Sequence, residues 1–389
     1  MTRDNAVIQF FWLLTAAALN IFVLYAPQPL LPLFADLYGL SEAAAGLLMT
    51  VTMLPLALAP LSYGYLLGFI RPIQVLRFSL LLLAVMTWMT GLTESFNQLL
   101  VVRFLQGLII PASLTAVMAF LANSVEEGGS LQTAMSLYVT ATISGGFVGR
   151  LLAGMSTDFV DWRIFFFVLS GLLAACFFMI KPDETRRGVE VRATEVADDS
   201  TWLMVRSCIP VYLAIFCLFF VFCGTLNYLP FRTVELAGTR SGFLTGIMYC
   251  GYITGIVTSL AAGKIVQRAG SDVVVMIVGN ILFLVFLTAM LLPSTVILFI
   301  LIFPFCGAMF LVHSIASAAV NRRAGKRSGL ASGLYVSSYY GGGILGSYLP
   351  GLVFEHSGWG AMVTSLVVFG SAGVALFVFY FRKSRDAKQ

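Results

Sequence analysis

Apolar runs long enough to cross a bilayer as helices recur from one end of this chain to the other, separated by short polar breaks. Setting those runs against the Pro, Gly and charged breakers predicts spans near 7–34, 43–67, 73–91, 96–122, 131–158 and 162–180. A second set follows near 209–236, 241–266, 271–292, 295–320, 328–355 and 359–381. Between the sets lies one sizeable polar stretch, "KPDETRRGVEVRATEVADDSTWLMVRS". The pattern predicts an all-α polytopic membrane protein with twelve transmembrane helices in two six-helix halves. The halves cover 1–180 and 209–389, joined by a cytoplasmic linker over 181–208. The first apolar run continues to about Phe34 without a small-residue cleavage site, so that segment is expected to stay in the protein.

Composition sharpens this picture. Of 389 residues, 59% are hydrophobic and 11% charged, too little charge to cover a soluble protein of this length. The net charge of +5 therefore carries no argument for nucleic acid; its distribution does the informing. With both termini inside, all but five of the 23 Lys and Arg residues fall in cytoplasmic loops or tails, the bias expected of an inner-membrane protein. The five are Arg103, Arg150, Arg163, Arg232 and Arg240. Six cysteines lie in or beside apolar segments with no metal-ligand spacing, so free thiols are expected, and neither metal nor cofactor.

The halves repeat. "YVTATISGGFVGRLLAGMSTDFVDW" from Tyr138 aligns without gaps on "YVSSYYGGGILGSYLPGLVFEHSGW" from Tyr335. Tyr138/Tyr335, Gly145/Gly342, Gly146/Gly343, Gly149/Gly346 and Trp162/Trp359 coincide, placing span 5 over span 11. Parallel repeats of six spans with a substrate site near the midplane are a transporter architecture. Gly145, Gly146 and Gly149 offer a small-residue face, read either as helix packing or as a gate.

Four segments carry a family resemblance. "RFLQG" (Arg103 to Gly107) resembles the span-4 motif of the major facilitator superfamily. "YAPQPLLP" (Tyr25 to Pro32) is similar to the end of span 1 in its drug:proton antiporter and arabinose-efflux-like branch. "SGGFVGRLLAG" stands in place of the span-5 glycine motif of antiporters. "GKIVQRAGSDVV", with Arg268, resembles the loop signature between spans 8 and 9. The matching loop between spans 2 and 3, "GYLLGFIRPIQVLR", departs: Gly68 stands where the family has an aspartate that helps latch the halves on the cytoplasmic side. The resemblance implies a secondary transporter working by alternating access, with spans 1, 4, 7 and 10 lining a central cavity.

The charge inventory narrows the substrate. None of the 18 Asp and Glu residues falls near mid-membrane, so the buried carboxylate common in proton antiporters and cation exporters is missing. The buried charges are positive: Arg103 and Arg150 lie roughly 12 Å below the outer surface at ~1.5 Å per residue. The resemblance brings Arg103, Arg232 and His313 toward the cavity. Gln106, Asn20, Tyr25, Gln28, Asn227, Tyr228, Tyr339 and Tyr340 are the expected polar and aromatic partners. Guanidinium groups recognise carboxylate or phosphate through paired hydrogen bonds, so a small acidic metabolite or chelator is the expected substrate. Structural roles compete for each arginine: Arg103 on helix-end carbonyls, Arg150 paired with Asp36 or Asp158, Arg232 reaching outward to water.

Export, coupled to protons through His313 or Asp36, is the expected reaction, with Arg150 in coupling or gating. Import of the same class, or a drug or sugar efflux pump with structural arginines, is the alternative. No Walker-type GxxxxGK[ST] occurs, and a membrane-embedded enzyme lacks the acidic or histidine cluster it would need. A transporter-like receptor that binds solute without moving it stays open as a third reading, and a long sensory tail or extra domain would be expected of it. The expected partners are a small molecule, protons and membrane lipid, with the protein as a monomer and no nucleic acid.

Overall fold

A computed structural model describes residues 3–66, 70–124, 131–181, 199–324 and 328–386. Helices occupy every predicted span, but spans 1 and 8, each predicted as one run, are two helices joined by a 3-10 turn, and spans 11 and 12 share one run; among the described residues no strand occurs. The helices of the first half are Arg3–Tyr25 continued by Leu31–Tyr38 (span 1), Glu42–Leu66 (span 2), Pro72–Leu92 (span 3), Phe96–Ser124 (span 4), Leu131–Ser156 (span 5) and Trp162–Met179 (span 6). Those of the second are Asp199–Ala237 (span 7), Gly242–Ile247 continued by Tyr252–Ala269 (span 8), Asp272–Ala289 (span 9), Thr295–Ala324 (span 10) and Ser328–Asp386. The last is a single run of 59 residues broken at Gly358, whose φ of 75° and ψ of −178° only glycine adopts readily, so it supplies spans 11 and 12. Among the described residues, nine helical segments are long and apolar enough to cross a membrane.

Local chemistry sets the ends. Asp161 caps span 6 by accepting the Arg163 amide at 2.8 Å, and Gly270 closes span 8 in the left-handed region with φ 71°. Span 7 begins at Asp199, before the predicted 209, because no Gly or Pro interrupts 199–209 and a helix extends beyond the bilayer without penalty. The Gly68 departure lies outside the described residues, as does most of the linker.

The chain forms two compact units that do not follow the midpoint of the sequence. One comprises Met1–Leu30, Leu54–Thr194 and Ser241–Gly246; the other comprises Leu31–Met53, Glu195–Arg240 and Ile247–Gln389. Each half thus lends a short segment to the unit built mainly from the other. In the first unit span 1 packs on span 5, and span 3 on spans 4 and 6; in the second, span 7 packs on spans 11 and 12, and span 10 on spans 8 and 9.

Glycines bring the first of these pairs together, in the same register in both units. A Cβ at Gly145 would stand 2.6 Å from the Ala18 carbonyl oxygen, and one at Gly149 2.9 Å from Phe22 Cα. At the repeat-equivalent positions, a Cβ at Gly342 would stand 2.1 Å from the Phe216 oxygen and one at Gly346 2.3 Å from the Phe220 oxygen. These glycines are where one helix backbone touches another. Gly146 sits beside them, its missing Cβ 3.2 Å from the Arg150 guanidinium.

Candidate functional site

The site in the first unit starts from a proline. Pro27 has no N–H, so the Val23 carbonyl four residues earlier loses its helical partner, and Pro29 does the same to Tyr25. Span 1 accordingly stops at Tyr25, makes one 3-10 turn over Gln28–Leu30 and restarts at Leu31. Arg103 answers the break. Its side chain has zero exposure, Nη1 donates to the Val23 carbonyl at 2.7 Å, and Nη2 donates to that of Leu24 at 2.7 Å. Nη1 also donates to Gln106 Oε1 at 2.8 Å. Gln106 in turn donates through Nε2 to Thr90 Oγ1 at 3.1 Å and Thr87 Oγ1 at 3.3 Å, tying spans 1, 3 and 4 into one network. One turn deeper, Asn20 donates to Ala16 O at 2.7 Å and to Ser113 Oγ at 2.9 Å.

Arg150 grips the same break from span 5. Its Nε donates to Gln28 Oε1 at 2.6 Å, its Nη1 to the Gly146 carbonyl at 2.6 Å, and its guanidinium lies 3.9 Å from the Tyr25 ring centroid. The carboxylates weighed as its partners are engaged elsewhere. Asp36 pairs with Arg240. Asp158 accepts the amides of Gly242 at 2.7 Å and Phe243 at 2.8 Å, capping the start of span 8. Two fully buried guanidiniums therefore converge on the interval Val23 to Gln28.

The second unit presents aromatic rather than cationic groups. The Tyr339 ring stacks on Phe219 at 3.5 Å between centroids, with the His313 ring 4.6 Å away on span 10. Tyr340 meets Phe219 edge-on at 6.0 Å. The Tyr335 hydroxyl stands 2.9 Å from the His313 carbonyl and 3.0 Å from its Nδ1. A hydroxyl has one proton, so both contacts are met when it donates to the carbonyl and accepts from Nδ1–H. Tyr228 is wholly buried; its hydroxyl donates to the Ser347 carbonyl at 2.9 Å and fills the space left by Gly46 and Gly351. Asn227, next to it, is also wholly buried. Arg232 pairs with Glu235 at 2.9 Å, and Arg268 is exposed at the end of span 8.

The structure thus brings together Arg103, Gln106, Arg150, Tyr25 and Gln28 in one unit, and His313, Tyr339 and Tyr340 in the other. Thr87, Thr90 and Ser113 were not singled out from sequence, because a hydroxyl in an apolar span carries no signal until its partner is known. Tyr335 was visible as a repeat position, and Phe219 was one of 33 phenylalanines.

A family model described as the Major Facilitator Superfamily matches residues 13–271 and 237–389, from within span 1 to the end of the chain. The chain belongs to the Major Facilitator Superfamily. It is 28% identical over 367 residues to the "Inner membrane transport protein YnfM" of Escherichia coli K12, covering 92% of this chain and 87% of that protein. It is 27% identical over 352 residues to the MFS-type transporter YybF of Bacillus subtilis, covering 88% and 86%. A more partial likeness, 27% over 270 residues and 63% of each chain, joins it to the "Multidrug resistance protein MdtG" of Proteus mirabilis. Among solved structures, a point mutant of the nucleoside transporter NupG superposes with a TM-score of 0.75 at 14% identity over 96% of this chain and 99% of that one. A bacterial homolog of the lysosomal transporter Spinster reaches the same TM-score over 99% and 98%, also at 14% identity. Both share the fold. As a superfamily member the chain is an integral membrane transporter of a small-molecule substrate, not an enzyme.

Proposed function

We propose that this transporter exports a small organic compound across the bacterial cytoplasmic membrane by alternating access, as a monomer with both termini in the cytoplasm. The Lys and Arg bias of the loops supports the orientation, and the inner-membrane relative supports the location. The multidrug relative supports export. One observation carries the reading of the site: Arg103 gives its guanidinium to two backbone carbonyls of span 1 and to Gln106 at zero exposure. It serves the helix break. The substrate then meets the aromatic groups of spans 7, 10 and 11, and a neutral or amphipathic organic compound fits them. An acidic substrate is the second reading, favoured by the fact that the partners of Arg103 are all neutral, so its buried charge is met by carbonyls and an amide rather than by a counter-ion.

A thermal-shift screen in detergent separates the two. A ligand at ~100 times its Kd is expected to add about 2.7 kcal/mol to the folded state. In the first reading neutral or cationic compounds stabilise the protein, Arg103→Lys responds as wild type does, and Tyr339→Ala loses the response. Stabilisation by acids alone, weakened in Arg103→Lys, establishes the second reading and removes the first.

Proton exchange is the proposed driving reaction, with His313 or Asp36 as carrier. His313 is favoured because its ring is held in the site by Tyr335 and flanked by Tyr339, whereas Asp36 is tied to Arg240. A His313→Ala variant is expected to lose dependence on the pH gradient in vesicle assays. Retention of full dependence would take His313 out of the mechanism.

A further inference from the structure

Two apolar grooves of similar size open on the surface of the helices. One, about 860 Å³, is lined along spans 9 and 12 by residues such as Leu284, Val285, Val367 and Val374 and holds no charged side chain. The other, about 760 Å³, lies in the first unit, with Phe78, Leu81, Leu108 and Ile109 as walls and Ile70, Gln74 and Arg77 toward the start of span 3. Inside a bilayer, hydrocarbon beside hydrocarbon selects nothing, so the first groove has no reason to prefer one lipid over another. The second differs by its cation.

Arg77 stands in the second turn of span 3, where that helix begins and span 6 ends. Its Nη1 donates to the carbonyl of Ile180, the residue that closes span 6, and its guanidinium lies 4.6 Å from the Phe177 ring centroid. Those two contacts fix the group in place and engage only part of its five N–H donors. Two more basic residues flank it in the chain: Arg71, exposed just before the start of span 3, and Lys181, exposed directly after Ile180. Among the described residues, no acidic side chain lines the groove. From Arg77 to Leu82 the wall runs about 7.5 Å along the helix at 1.5 Å per residue, about half of one leaflet of a ~30 Å hydrocarbon core. A cation fixed beside the start of span 3, with an apolar trough running on from it, matches a phosphate joined to the first part of an acyl chain.

We propose that this groove is a binding site for an anionic phospholipid of the leaflet that faces the chain termini. The phosphate meets Arg77 through its remaining donors, with Arg71 and Lys181 close by in sequence to add to the field, and one acyl chain lies along Phe78, Leu81 and Leu108. Basic pockets between transmembrane helices bind anionic headgroups by this combination of charge and shape. The neutral groove on spans 9 and 12 is the internal comparison, a trough without a headgroup anchor.

The test uses the full chain in detergent, offered equal amounts of phosphatidylglycerol and phosphatidylcholine with matched acyl chains, and counts retained lipid by native mass spectrometry. Wild type is expected to retain phosphatidylglycerol over phosphatidylcholine by at least about fivefold, the worth of one basic side chain at an anionic surface. Arg77→Gln is expected to remove the preference and Arg77→Lys to keep most of it, which separates loss of charge from loss of fold. Leu108→Trp, which fills the trough without touching the cation, is expected to lower the retained phosphatidylglycerol. Equal retention of the two lipids by wild type, or a preference unchanged in Arg77→Gln, overturns the proposal. Displacement of the lipid by free glycerol phosphate at the same concentration also overturns it, since that outcome assigns binding to the headgroup alone.

Discussion

Replacing Arg103 with methionine is expected to lower the stability of the purified protein by about 2–4 kcal/mol. The substitution leaves the Val23 and Leu24 carbonyls and Gln106 Oε1 without their donor, in a place where water does not reach. Each unpaired buried acceptor costs roughly 1–3 kcal/mol in soluble proteins and about 0.6–1.7 between helices in a membrane. A double-mutant cycle isolates the cause. Pro27→Ala restores an amide four residues after Val23, which then needs Arg103 less, so the methionine substitution is expected to cost about 1 kcal/mol less in that background. Melting temperatures of the four proteins in one detergent decide it. Equal losses in both backgrounds would mean that Arg103 does not serve the broken helix, and the case for an acidic substrate would rise.

The second large effect is at the helix crossings. Gly342→Ala places a methyl group 2.1 Å from the Phe216 carbonyl oxygen, a backbone atom that cannot rotate away, so spans 7 and 11 must move apart. Overpacking of this kind costs about 1–3 kcal/mol, and the value at Gly342 is expected at the upper end. Gly145→Ala, with 2.6 Å to the Ala18 oxygen, is expected to follow it in order. Gly171, on span 6 with nothing within 4 Å of its absent Cβ, is the control and is expected to tolerate alanine or gain from its better helix propensity. The measurement distinguishes the two roles open to these glycines. Melting that falls in the order Gly342, Gly145, Gly171 marks them as packing contacts. Unchanged melting with lost transport would mark them as a gate.

The two predictions draw on different kinds of sequence information. The crossings were legible: the ungapped repeat of Gly145/Gly342 and Gly149/Gly346 placed span 5 over span 11, and the structure finds the same crossing with spans 1 and 7 at both. A glycine at a helix crossing can be read from sequence because its function is the absence of a side chain. Arg103 was legible only as an anomaly. Its type and depth said that it must be satisfied, and the proline that frees a carbonyl for it lies 76 positions earlier in the chain. Arg150 shows the limit more sharply. Carboxylates near its end of the membrane suggested an ion pair, yet Asp36 meets Arg240 and Asp158 caps span 8, while Arg150 takes Gln28 and the Tyr25 ring.

What the sequence by itself determined is the one-dimensional part of this protein: helical spans, the boundaries between them, their repeat and membership of a transporter superfamily, though not the breaks inside spans 1 and 8. These follow from local rules, since a backbone in hydrocarbon must satisfy its own hydrogen bonds as a helix, and proline and glycine mark where that fails. Only the tertiary structure decided which buried cation meets which partner, and that Leu31–Met53 and Ser241–Gly246 each join the unit opposite to their own half. The physical reason is that the partners the fold gives the buried guanidiniums of Arg103 and Arg150 are neutral carbonyls, side-chain amides and a ring face, groups that recur throughout the chain. Their availability depends on where another helix breaks and how closely glycine lets it approach, so the choice among them exists only once the helices are packed.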